Sequence, residues 1–290
     1  MNRIIGIALI VVSSIAYGAM PILARLAYAD GASTTTVLFL RFTIAALVML
    51  VLMLATRNPF PGGKKLAGLV LMGVFGYVAQ SLAYFSALTL APASLVALIL
   101  YLAPVIVTAG SFIVFKEPVT RSKVIALALA LTGAVLTIGP GASSPGGEAF
   151  PNQTQGVLIG VFAAVAAAVY VLAGSRLLRS VPALPATTVI ITSTGAAYTA
   201  IAAAQGFQFP QHFEGYAAIL ALAVVSTVIA IGAFLAGLAR IGPTTASTLG
   251  ILEPATAIAL AAIILGETLL PTQIIGAALI VAGVLNVTRG

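Results

Sequence analysis

Apolar runs of about 20 residues, cut by short polar or Pro/Gly-rich breaks, follow one another along the chain, and this alternation predicts ten helices. Their spans are roughly 4–27, 34–55, 66–88, 92–115, 122–139, 156–178, 184–204, 214–239, 243–266 and 271–288. At about 1.5 Å of rise per residue, such runs are long enough to cross a hydrocarbon core of roughly 30 Å. Pro92, Pro243 and Pro271 stand where helices start, at positions whose N–H would have no intrahelical partner. Asn58-Pro59, Pro61-Gly62-Gly63 and the stretch from Pro140 to Pro151 interrupt the pattern between runs. The first run follows Arg3 as a secretion signal would, but no small-residue cleavage site closes a short apolar core, so it is read as a retained helix. The expected fold class is an all-α integral membrane protein of ten transmembrane helices.

Composition sharpens this picture. Of 290 residues, 61% are hydrophobic and 7% charged, far below the roughly 25% charged in a soluble domain, so lipid must be the solvent. Arg3, then Arg57, Lys64 and Lys65, then Lys116, Arg121 and Lys123, then Arg176 and Arg179, then Arg240 and Arg289 fall at the termini or in every second loop. By the positive-inside rule both termini are cytoplasmic, and only Arg25 lies near an outer end. The 141–155 stretch, with Glu148 and no cation, is then an outer linker between two halves, 1–140 and 156–290. The net charge of +7 has this topological cause; the cations form no stripe, and nucleic acid is not an expected partner. Absent cysteine excludes disulfides and thiolate metal sites, and no cofactor is expected. The sole histidine, His212, falls in an outer loop and no HExxH or GxSxG motif occurs, which argues against a membrane-embedded enzyme.

A displacement of 150 positions aligns the third to fifth runs with the eighth to tenth without a gap. Ala83-Tyr84 falls on Ala233-Phe234, Leu102-Ala103-Pro104 on Leu252-Glu253-Pro254, Glu117 on Glu267 and Gly133 on Gly283, while Gly6 falls on Gly156. Coincident Glu and Pro residues carry more weight than matched alanines in this composition. With five spans per half, the second half enters the membrane from the opposite side, which predicts inverted repeats around a central cavity.

The pattern Ala83-Tyr84-Phe85-x-Ala87-Leu88, Ala93-Ser94, Pro104, Glu117 and Gly133, repeated as Ala233-Phe234, Leu252-Glu253-Pro254, Gly266-Glu267 and Gly283, resembles the EamA family of the drug/metabolite transporter superfamily. Within it the chain looks most like bacterial amino-acid exporters of the YddG type. The resemblance implies export across the inner membrane, with the fifth and tenth helices peripheral to a central cavity. Ala103 stands where the second half has Glu253, so a symmetric role for that carboxylate does not carry over.

Candidate binding residues come from polar groups inside spans. Tyr77, Gln80, Ser81 and Tyr84, at i, i+3, i+4 and i+7, put four hydrogen-bonding groups on one helical face that must avoid lipid. Ser94, Tyr101 and Thr108 recur at sevenfold spacing in the fourth span, Ser13, Ser14 and Tyr17 lie in the first, and Thr248 in the ninth. Ser14, Tyr77 and Tyr101 each lie roughly 14 to 17 Å into their spans, near the midplane where inverted-repeat carriers bind cargo. The competing reading is structural: hydroxyls back-bond to the i−4 carbonyl, and tyrosines mark the headgroup belt, to which Tyr28, Tyr198 and Tyr216 are assigned. Two charges lie inside spans, Arg41 and Glu253. Glu253 would relay a proton, hold a substrate ammonium group or tie to Arg41, while Arg41 has an outward alternative in Asp30. Pro21, Pro104 and Pro254 lack the N–H that would bond the carbonyls of Tyr17, Leu100 and Gly250, which makes them kink or hinge candidates.

These readings converge on a secondary transporter exporting small metabolites, foremost amino acids, by alternating access. Its partners are a small-molecule substrate and the bilayer, with a coupling proton left open. The rival within the superfamily is a cation or drug exporter. A phosphate-bearing cargo would call for paired cations inside the spans, where only Arg41 stands.

Overall fold

Proline inside an apolar run removes one backbone donor, and the consequence is visible along the whole chain. The computed structural model describes residues 2–88, 90–91, 96, 99–138, 152–265 and 269–289, and every regular element among the described residues is helical. In order these are α1 (Asn2–Gly18), α2 (Met20–Ala29), α3 (Thr34–Ala55), α4 (Gly63–Leu71), a π-helical turn π1 (Met72–Tyr77), α5 (Val78–Leu88), α6 (Leu102–Phe115), α7 (Arg121–Ile138) and α8 (Gln153–Leu177). There follow α9 (Ala183–Gln205), α10 (Phe213–Ala223), a second π turn π2 (Val224–Ile229), α11 (Ala230–Ile241), α12 (Pro243–Gly250), α13 (Leu252–Leu265) and α14 (Pro271–Arg289). Six helices among the described residues are long and apolar enough to cross a membrane: Arg3–Ala29, Thr34–Ala55, Gly63–Tyr84, Thr154–Leu177, Ala183–Gln205 and Phe213–Ile241. Leu102–Phe115 and Pro271–Asn286 are shorter apolar helices. The start of the expected 92–115 helix with Pro92 and Ser94, most of the 141–155 linker with Glu148, and the Gly266-Glu267 pair lie outside the described residues.

Three of the apolar runs are interrupted close to a proline. Ala19 separates α1 from α2, whose first turn holds Pro21. Tyr101 (φ −71°, ψ 0°) precedes α6 and Ile251 (φ −65°, ψ −4°) precedes α13, each three residues before a proline. The start of α6, at 102, is displaced by 150 positions from that of α13, at 252. The position 150 after Pro21 is Val171, and α8 runs through it unbroken. The two π turns have no counterpart in the expected helices. Periodicity reads hydrophobic spacing and is blind to a single change of hydrogen-bond register.

The chain divides into two compact units, each drawing on both halves of the sequence. The first comprises Met1–Val78 and Gly174–Arg240. In it α3 and α9 run antiparallel: Gln208 N–H donates to Thr36 Oγ1 (2.9 Å) at one end, and a Cβ on Gly195 would meet the Phe42 carbonyl at 3.2 Å further along. Facing α1, a Cβ on Gly237 would lie 3.0 Å from the Gly6 carbonyl, while Ser13 Oγ donates to the Ala230 carbonyl (2.8 Å). The second unit comprises Ala79–Ala173 and Ile241–Gly290. Its spine is the antiparallel pair α7 and α14, fastened by Ser122 Oγ donating to Asn286 Oδ1 (2.8 Å). Contact there is backbone-close: a Cβ on Gly133 would meet the Gly276 carbonyl at 2.5 Å, and one on Gly283 the Ala126 carbonyl at 2.7 Å. Only small residues allow such approach. On the outer sides of α7 and α14, Val124, Ile125, Ile274 and Ile275 are exposed, while their inner sides meet each other.

Candidate functional site

The break between α12 and α13 creates a helix start in the middle of an apolar run, and Glu253 sits in the first turn of that new helix, α13. Free N–H groups and the dipole favour a carboxylate there, which is why the sequence tolerates one inside an apolar run. Glu253 is surrounded by protein and still retains accessible surface. Tyr101, at the matching break before α6, interacts electrostatically with both Glu253 and Tyr84. Tyr101 packs on Ala130, Ala134 and Ile251, and Tyr84 on Ala87, Ala91 and Val96. Glu253 and Tyr84 thus both lie within electrostatic range of Tyr101 in the second unit, which also holds two buried prolines, Pro104 and Pro254. Gln80 is half-buried and Ser81 buried on the same helix as Tyr84. Thr248 is buried and its hydroxyl donates to the Thr244 carbonyl one turn back (2.9 Å), as Thr108 does to Pro104 (2.8 Å). Such a grouping offers an ionic partner to a cation and hydrogen bonds from aromatic rims to a polar cargo.

The other candidates, Ser14, Tyr17 and Tyr77, belong to the first unit. Ser14 is buried and donates to the Ile10 carbonyl (2.9 Å), while Tyr17 is half-buried. Tyr77 closes π1 and meets the Phe42 ring edge-on at 5.4 Å. Tyr198, assigned from sequence to the headgroup belt, is instead fully buried and stacked on Phe42 at 5.6 Å. Distance along a helix says nothing of which neighbour covers a ring, and here Phe42 covers it. Tyr216 does remain exposed. Arg41 does not take the outward alternative of Asp30. Its Nη2 donates to the Ser226 carbonyl (2.8 Å), its Nε to Thr227 Oγ1, and its guanidinium carbon lies 5.1 Å from the Phe42 ring centroid. Phe42, Ser226 and Thr227 were not singled out from sequence. The adjacent hydroxyls of Ser226-Thr227 inside an apolar run were the available signal.

Asp30 pairs with the loop before α10: its Oδ2 accepts the His212 backbone N–H (2.8 Å) and its Oδ1 lies 2.5 Å from His212 Nδ1. The His212 backbone and side-chain bonds hold the Asp30 carboxyl below its ordinary value, and the Asp30 bond raises the imidazole. The pair lies just outside the apolar helices Arg3–Ala29 and Phe213–Ile241.

A family model described as the EamA-like transporter family matches residues 4–139 and, a second time, 154–289. The chain belongs to the EamA-like transporter family. The two matches to the EamA-like model begin at 4 and 154 and end at 139 and 289, a displacement of 150 positions at both ends. Among full-length relatives, the chain is similar to an uncharacterized transporter, YcbK, of Bacillus subtilis (strain 168), with 25% identity over 280 residues, 93% of this chain and 88% of that protein. It is also similar to an uncharacterized transporter of Archaeoglobus fulgidus, with 28% identity over 285 residues, 98% of this chain and 96% of that protein. A solved crystal structure superimposes with a TM-score of 0.81 at 23% identity, over 98% of this chain and 95% of that one, a likeness of fold. The EamA-like chain is thus a multi-pass membrane transporter of the drug/metabolite superfamily.

Proposed function

We propose that this transporter exports amino acids or similar small zwitterions across the inner membrane by alternating access, with ten spans arranged as inverted five-helix halves, 1–140 and 156–290, and cytoplasmic termini. Antiparallel pairing of α3 with its counterpart α9, and of α7 with α14, supports the inversion, because parallel copies would pair the other way. The observation that carries the cargo reading is the electrostatic proximity of Tyr101, at the break before α6, to Glu253 in the first turn of α13 and to Tyr84 on α5. Glu253 takes the ammonium group, and the phenols and the carbonyls that Pro104 and Pro254 release take the remaining polar atoms. A second reading, a cation or drug exporter, draws on the asymmetry of the site: Glu253 has Ala103 as its counterpart, so a lone carboxylate would suffice for a cation. Uptake of a labelled amino-acid panel into proteoliposomes, with and without a pH gradient, separates the two. Movement of amino acids supports the first reading, whereas movement of lipophilic cations alone replaces it by the second. Acceleration by the gradient identifies the proton as the coupling ion.

A further inference from the structure

We propose that Arg41 is a positioning residue for transport, a clamp that holds π2 to the broken first helix so that the two move as one body. The proposal rests on the alternating-access reading above for its role, and on local geometry for its existence.

In an α-helix Ala230 N–H would bond the Ser226 carbonyl. Here it turns to the carbonyls of Thr227 and Val225, and the Ser226 carbonyl instead accepts from Arg41 Nη2 at 2.8 Å. Arg41 Nε donates to Thr227 Oγ1, which donates in turn to the Leu222 carbonyl at 2.9 Å. The same turn is tied to the first helix. Ser226 Oγ donates to the Ala16 carbonyl (2.7 Å), Ser13 Oγ to the Ala230 carbonyl (2.8 Å), and Arg41 Nη1 reaches Met20 Sδ (3.2 Å). Ala16 and Met20 flank the break at Ala19. Arg41 is 4% exposed, and Ser13, Ser226 and Thr227 are 1% or less, so water cannot substitute for a lost partner.

The other π turn differs, in that its side-chain donor shares a carbonyl that already accepts a backbone bond. Val78 N–H reaches back five residues to the Gly73 carbonyl, which also accepts Thr194 Oγ1 at 3.1 Å. Thr194 lies on α9, the antiparallel partner of the α3 helix that carries Arg41. Each π turn thus has a carbonyl held by a side chain from this helix pair. Returning a π turn to α register shifts everything beyond it by one residue, about 1.5 Å along the axis and about 100° around it. A donor on the released carbonyl decides whether that shift occurs. The planar guanidinium serves two acceptors at once; an ammonium group on a flexible stem does not.

The test uses the full chain in lipid nanodiscs for backbone hydrogen exchange over residues 222–232, and in proteoliposomes for turnover and KM with whichever panel amino acid the wild type moves. Arg41→Lys and Thr227→Val should each speed exchange in that segment by about tenfold and lower turnover, with KM within about twofold. Thr227→Ser, which keeps the hydroxyl, should behave as wild type. Unchanged exchange in both Arg41→Lys and Thr227→Val overturns the proposal, as does a raised KM at unchanged turnover, which would make Arg41 a cargo ligand. If Arg41→Lys does not fold, the two Thr227 variants decide. If the wild type moves no amino acid, the cargo reading fails while the exchange result still decides the clamp.

Discussion

Glu253 and Arg41 are both charges inside apolar spans, yet their surroundings assign them different work. Glu253 keeps accessible surface and lies within electrostatic range of Tyr101, whereas Arg41 is enclosed and bonded to a hydroxyl and a carbonyl. Glu253→Gln, isosteric and neutral, should lower amino-acid transport by about tenfold, the effect of losing one charge-assisted contact, with the thermal unfolding midpoint within a few degrees of wild type. Unchanged uptake together with an unchanged pH profile would make the carboxylate purely structural. Tyr101→Phe removes one neutral hydrogen bond and should raise KM by about fivefold, as about 1 kcal/mol requires. Both positions were legible in the sequence because polar groups inside apolar runs need partners. The partner of Tyr198 was not, because its ring is covered by Phe42 of a helix about 150 residues away in sequence, and no local pattern reports that.

At the scale of elements, the breaks before α6 and α13 follow from Pro104 and Pro254, and their matching starts, 102 and 252, follow from the repeat. Pro254→Ala restores the donor that the Gly250 carbonyl lacks and gains about 1 kcal/mol for the straight helix, about a fivefold change in population. Turnover should fall by a similar factor, read by initial rates, while Pro271→Ala, at a helix start, should leave it unchanged. The pairing of Asp30 with His212 ties two loops together and depends on pH. His212 is raised above its ordinary value of about 6.5, so its contribution is fully present below that value and is lost as pH rises through the raised one. Asp30 is lowered, so its contribution is present above its ordinary value near 3.8 and is lost as pH falls through the lowered one. A thermal-shift comparison of wild type with His212→Gln should therefore show a stability difference near pH 6 that disappears in alkaline buffer. A constant difference would remove the ion pair from the account.

On the scale of the molecule, counterpart helices from the two halves pair with each other, so each compact unit is assembled from both. In α7 and α14 this pairing brings backbones together at Gly133, Gly276 and Gly283. Gly133→Ala would press a methyl group to 2.5 Å from the Gly276 carbonyl, and such overpacking costs about 1–3 kcal/mol, which a lowered unfolding midpoint would register. Gly62→Ala, with open space around its Cβ, should not. The inverted arrangement has its own test. The chain has no cysteine, so single cysteines at Asn2, Asn152 and Thr288 can be labelled by an impermeant thiol reagent. Asn2 and Thr288 should react from the same side and Asn152 from the other; Asn152 reacting with the termini would defeat the five-span halves.

The ten apolar runs, their ends within three residues wherever described, the displacement of 150 positions and the proline breaks were all determined by the order of residues. Each depends on chemistry confined to one or two turns of helix: hydropathy, a missing N–H, or a repeated motif. Tertiary structure alone decided that Arg41 binds Ser226 and Thr227, that Tyr198 stacks on Phe42, that π turns interrupt two spans, and that Asp30 takes His212. Each of those pairings but the π turns joins residues more than 150 positions apart, where lipid-avoiding polar groups have many partners of equal chemistry, and only the antiparallel packing of helices selects among them.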